Sequence, residues 1–203
     1  LTGNFAASDT TAEFTQFSGI ETYNLTFANG VAITAAANDG IGDGDNTVET
    51  VTMSGGNSLT KYTSTTNAGA IDSTALTSLD ASGLGGEISI NVAGSRMDNL
   101  TVKGSTASAK DTVVYSGVNG LTATTGKAVT EGVETVALLT ATAASTIDTS
   151  SMTGLKTFGV ENDQNVTATN VAAGVDFALG LSSATGVEDY TGTLTIKLAD
   201  TTG

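Results

Sequence analysis

The chain has 203 residues, 39% of them hydrophobic but only 5% aromatic, and 21 acidic against 7 basic residues give a net charge of −14. That is enough apolar material for a core, which sets disorder aside, while the absence of Cys and His removes disulfides, thiolate and imidazole metal sites and the common nucleophile–imidazole pairs. The acidity disfavours phosphate backbones, so nucleic acid is not an expected partner, and no apolar run approaches the ~20 residues of a membrane-spanning helix.

In chain order, the first periodic element is Gly19-Ile20-Glu21-Thr22-Tyr23-Asn24-Leu25, followed by the alternating Val31/Ile33/Ala35. Alternation of period two places one face inward and the other in solvent, which reads as strand. The run Asn38-Asp39-Gly40-Ile41-Gly42-Asp43-Gly44-Asp45-Asn46-Thr47 then interrupts the pattern, and Val48-Glu49-Thr50-Val51-Thr52-Met53 restores it. The same skeleton, apolar-x-x-apolar-x-apolar, returns as Leu76/Leu79/Ala81, Met97/Leu100/Val102 and Val118/Leu121/Ala123. It returns again in Gly132-Val133-Glu134-Thr135-Val136-Ala137-Leu138 and Gly154-Leu155-Lys156-Thr157-Phe158-Gly159-Val160, and in part at Gly186-Val187-Glu188-Asp189-Tyr190. A second duplication relates residues 71–79 to 147–155. Between these anchors stand Ile88/Ile90/Val92, Val113/Tyr115 and Val175/Phe177/Leu179, each a second strand of its coil; Asn170 to Leu181 has mixed spacing that also admits a helical turn.

Repetition at about 20 to 30 residues is the signature of a solenoid. The expected fold is therefore all-β, a right-handed parallel β-solenoid with irregular coils, the alternative being an antiparallel β-sandwich. Residues 1–203 read as one β-rich structural segment of a longer chain, with 104–112 the candidate place for a sub-boundary. Tyr23, Leu25, Val51, Leu79, Leu100, Val136, Leu155 and Phe158 are expected inside, Ile20, Val48, Leu76 and Met97 at equivalent places on adjacent rungs, and Glu21, Glu134 and Lys156 in solvent.

Only carboxylates, hydroxyls and a few amines remain for chemistry, and Arg96 is the sole arginine. A glycosidase or lyase site needs a carboxylate cluster beside a cation such as Arg96 or Lys103; the composition points away from an enzyme. The Gly/Asp run at 38–47 is the distinctive stretch, because glycines let carboxylates and carbonyls turn toward one hard cation, and calcium is the natural candidate. It approaches the calcium nonapeptide G-G-x-G-x-D-x-U-x, with Asp39 in one glycine slot and a single copy present. Glu161-Asn162-Asp163-Gln164-Asn165 is a weaker oxygen cluster.

The Gly-(Ile/Val)-Glu-Thr-apolar motif, the run Ile71-Asp72-Ser73-Thr74-Ala75-Leu76-Thr77-Ser78-Leu79-Asp80-Ala81-Ser82 and the Gly/Asp loop together resemble RTX-type surface-layer (S-layer) proteins of Gram-negative bacteria. The resemblance implies type I secretion, a place at the bacterial cell surface, and self-assembly into a calcium-dependent lattice with copies of the same protein. It also implies structural Ca2+ at Asp39, Asp43, Asp45 and Asn46, and cell-surface polysaccharide as a second partner. The family's tandem nonapeptides are missing, which suggests a β-rich lattice region lying beside them. The second reading is a segment of a secreted RTX adhesin or autotransporter passenger that binds host or polysaccharide surfaces.

Overall fold

A computed structural model describes residues 1–6, 8–9, 11–12, 19–35, 41, 47–64, 71, 73–140, 143–161, 164–180 and 190–200. The segment Thr22–Phe27 shows how the elements arise. Its sequence TYNLTF alternates strictly, with Tyr23, Leu25 and Phe27 buried and Thr22, Asn24 and Thr26 exposed. β-branched Thr on the wet face and large apolar groups on the dry one suit a pleated, half-buried surface.

Among the described residues, strands of this kind stack into three sheets. The first runs β1 (Thr2–Phe5), β3 (Thr22–Phe27), β5 (Thr50–Gly55), β7 (Ser78–Leu84), β9 (Thr101–Lys103), β11 (Val129–Glu131) and β14 (Met152–Thr153). The second runs β2 (Thr11–Ala12), β4 (Ala32–Ala35), β6 (Lys61–Ser64), β8 (Glu87–Ala93), β10 (Thr112–Val118), β12 (Thr135–Thr140), β15 (Thr157–Glu161) and β17 (Asp176–Leu179). The third holds β13 (Ser145–Asp148), β16 (Val166–Val171) and β18 (Leu194–Leu198). Every ladder among the described strands is parallel, as in β3 with β5 and β10 with β12. The chain therefore winds as a parallel β-solenoid, and the antiparallel sandwich is set aside.

Register makes the interior a set of columns. Tyr23, Val51, Leu79, Val102, Thr130 and Met152 follow one another through the first sheet, advancing by 28, 28, 23, 28 and 22 residues. Ile90, Val113, Val136, Phe158 and Phe177 do the same through the second. Stacked rungs lie ~4.8 Å apart, so each side chain packs on its like in the next coil, and burying one such group contributes ~1.5–3 kcal/mol. Tyr23, Leu25, Val51, Leu79, Leu100, Val136 and Phe158 are buried as expected. Leu155 is only partly buried, packed against the core from its corner.

Three local expectations change. Leu76 and Met97 are both buried, but Leu79 aligns with Val102 rather than Leu100. The extra residues are taken up by the 3₁₀ turn Gly94–Arg96, whose Arg96 carbonyl accepts the amides of Asn99 and Leu100. The stretch 170–181 forms no helix in its described part: β16 ends at Val171 and β17 spans Asp176–Leu179, aligned with Thr157–Val160.

The third correction concerns the Gly-x-Glu-Thr motif. Its copies at 19–25 and 48–53 lead into the first sheet, whereas those at 132–138 and 154–160 lead into the second. They share a corner. Gly19, Gly132 and Gly154 have φ of 71, 65 and 89°, which a residue bearing Cβ adopts only with strain. The carbonyl of Glu21 then accepts two amides of the next coil, Glu49 at 2.8 Å and Thr50 at 3.1 Å. Glu134 does the same with Lys156 at 2.8 Å and Thr157 at 2.9 Å. The motif thus encodes a turn that satisfies its own backbone from coil to coil, and any strand can follow it. The partial copy at 186–190 lies outside the described residues except for Tyr190.

Candidate functional site

In the coil β12–β13–β14 the chain passes from the second sheet through the third and back to the first. The Gly/Asp run stands in the sequence between β4 of the second sheet and β5 of the first. Asp39, Asp43, Asp45 and Asn46 lie outside the described residues. Around them, Ala35, Ile41 and Val48 are buried in the core, and Thr47 Oγ1 donates to the Ile20 carbonyl at 3.4 Å. Among the described residues no three acidic side chains gather closely enough to hold a metal ion. Of the weaker cluster, Asn162 and Asp163 are outside the described residues, while Asn165 Oδ1 accepts the Thr193 amide at 2.8 Å.

The outer faces carry rows. On the second sheet Thr34, Thr63, Ser89, Thr112, Thr135 and Thr157 stand in register, one per rung. On the first, Thr22, Thr50, Ser78 and Thr101 form a second hydroxyl row. Beside it runs Asn24, Thr52, Asp80, Lys103 and Glu131. Lys103 Nζ lies 3.3 Å from Glu131 Oε2. Burial tends to raise the Asp80 carboxyl, but hydrogen bonds from the Ser82 hydroxyl (2.6 Å) and amide (2.9 Å), together with Lys103, hold it below the usual carboxylate range. Lys61 pairs with Glu87 at 2.9 Å. Arg96 and Lys103, the cations a catalytic cluster would need, are thus placed differently. Lys103 is in this exposed row, and buried Arg96 donates from its guanidinium to the Leu76 carbonyl at 2.6 Å.

One carboxylate does enter the interior. Ile33, Tyr62 and Ile88 form an inward column of the second sheet, and the residue that continues it, one place ahead of the Ser89–Thr112 pair, is Asp111. Asp111 is fully buried. Its Oδ1 accepts the Ile88 amide at 2.9 Å and its Oδ2 the Ser105 amide at 2.6 Å, while its own amide donates to Glu134 Oε2 at 3.0 Å. Burial pushes its pKa up to about 6; the two amides pull it down, and the charges of Glu134 and Glu87 push it further up. Glu134, expected in solvent, has a side chain only 12% exposed because it follows Asp111 at this corner. Neither role was visible from residue type. The available signal was positional: the apolar column reaches a coil whose register residue is an aspartate.

The described residues offer ordered hydroxyl rows and charge pairs that span coils. No protein-family model, curated protein or solved structure matches the chain.

Proposed function

We propose that this chain is a structural unit of a calcium-dependent bacterial S-layer of the RTX type, exported to the cell surface and assembling with copies of itself. The observation that carries the reading is the pair of regular outer faces, where one hydroxyl row runs from Thr34 to Thr157 through the second sheet and another from Thr22 to Thr101 through the first. A face of that kind gives a neighbouring molecule the same polar contact from rung to rung along each row. Copies carrying a charge of −14 repel one another, and a divalent cation at Asp39, Asp43, Asp45 and Asn46 offsets that repulsion. Extracellular calcium modules bind with dissociation constants of ~10⁻⁴–10⁻³ M, so the ion is taken up outside the cell, where the lattice is needed. In this reading no residue turns over a substrate, and cell-surface polysaccharide is the lattice's anchor.

The test is imaging of the purified protein by negative-stain electron microscopy in millimolar-range calcium and in chelator. Ordered sheets that dissolve in chelator support the lattice. The one-directional stacking of coils also suits the stalk of a secreted RTX adhesin or autotransporter passenger. Dispersed particles that are retained on a polysaccharide matrix would favour that second reading.

A further inference from the structure

Asp111 is a buried ionisable group that the lattice reading leaves unused, and its surroundings set two carboxylates against each other between successive coils. The Asp111 amide donates to Glu134 Oε2 at 3.0 Å, and the Asp111 carbonyl accepts the Thr135 amide at 3.0 Å. The side chain of Asp111 meanwhile holds the amides of Ile88 and Ser105. One residue therefore clasps β8, the connection after β9, and the corner that leads into β12.

The charged groups facing this clasp can be named from each side. Glu87, at the start of β8, is paired with Lys61 of β6 at 2.9 Å. Glu134, from the β12 corner, has Lys156 at 3.8 Å from its Oε1. Lys110, next to Asp111 in the chain, is exposed. Each nearby cation thus sits on a different carboxylate or in solvent, and among the described residues no cation forms an ion pair with Asp111. A charged Asp111 is desolvated and faces like charge; a neutral one keeps lone pairs for both amides and loses the repulsion.

We propose that Asp111 and Glu134 form a proton-operated joint between coils, firm when Asp111 is protonated and looser when both carboxylates are charged. The sign follows from linkage. Asp111 is held above its unfolded value of 3.8, at about 6. The folded state binds the proton more tightly, so this contribution to stability is full below the unfolded value and is lost as pH rises through about 6. Mild acid tightens the middle of the solenoid, and neutral medium relaxes it.

The experiment is carbon-detected NMR titration of the whole 203-residue chain, following Asp111 Cγ with the Ile88 and Ser105 amides, alongside urea unfolding across the same pH range. The carboxyl and both amides should titrate together near pH 6. The unfolding constant should rise by on the order of tenfold or more across that step. Glu134→Gln keeps an acceptor for the Asp111 amide but removes the opposing charge, so the common midpoint should fall and the pH dependence flatten. Lys156→Met, at an exposed site, should move the midpoint the other way, which keeps the test intact should the first variant fold poorly. An Asp111 midpoint at or below the ordinary aspartate value overturns the joint. So does a midpoint that neither variant moves.

Discussion

Thr130 is one of the buried polar residues whose side chain is not satisfied. It occupies the first-sheet column between Val102 and Met152, is fully buried, and its hydroxyl has no hydrogen-bond partner. A buried unsatisfied hydroxyl costs ~1–3 kcal/mol, so Thr130→Val, which keeps the shape, should stabilise by ~1 kcal/mol, read as a higher urea midpoint at unchanged slope. Leu100→Ala should do the opposite. Leu100 is 1% exposed, and its truncation should cost ~2–5 kcal/mol. Exposed Thr26→Ala is the control, expected to shift the midpoint little. Apolar period-two spacing identified most of the interior at this scale because burial there follows directly from side-chain alternation. It missed Asp111, Glu134 and Thr130, whose burial depends on which coil stacks above which, and one chain's local pattern does not contain that information.

At the scale of the element, corners decide the register. The Gly-x-Glu-Thr motif is legible as a recurring unit, but the sheet that each copy enters is not, since the same corner feeds two sheets. The coil of 23 residues between Leu79 and Val102 likewise hides in an apolar skeleton that fits equally well two residues earlier. Corner glycines differ in what they protect. A Cβ on Gly86 would lie 1.8 Å from the Thr60 carbonyl oxygen of the preceding coil, whereas one on Gly132 meets nothing within 4 Å and suffers only its φ of 65°. Gly86→Ala must push two coils apart and should cost several kcal/mol, more than ~1 kcal/mol for Gly132→Ala. Thermal melts of the two variants side by side check the order. Equal losses would mean that backbone conformation, rather than coil contact, sets the tolerance of these corners.

For the whole molecule, firmness should vary along the stack. β8 is buried at Ile88, Ile90, Asn91 and Val92, while β18 has Ile196 at 39% and Leu198 at 68% exposure. Backbone hydrogen bonds over a dry core open only with large-scale unfolding, and those over a wet one open locally. Amide exchange should therefore be slowest in β8 and β10 and fastest in β18; uniform protection would contradict the column picture. The solenoid itself was legible because repetition is a global property that survives irregular coil lengths. The acidic run is legible as chemistry, through three aspartates among glycines, and the described residues Ala35, Ile41 and Val48 are buried.

Calcium-dependent assembly is the central claim, and light scattering of the intact chain during calcium titration, followed by microscopy of the same samples, tests it most directly. Particle size should rise at calcium concentrations of ~10⁻⁴–10⁻³ M. The particles should be ordered sheets, chelator should reverse their formation, and Asp43→Ala combined with Asp45→Ala should abolish it. Particles that stay monomeric throughout the titration, or sheets that form equally well in chelator and in the double variant, would contradict it.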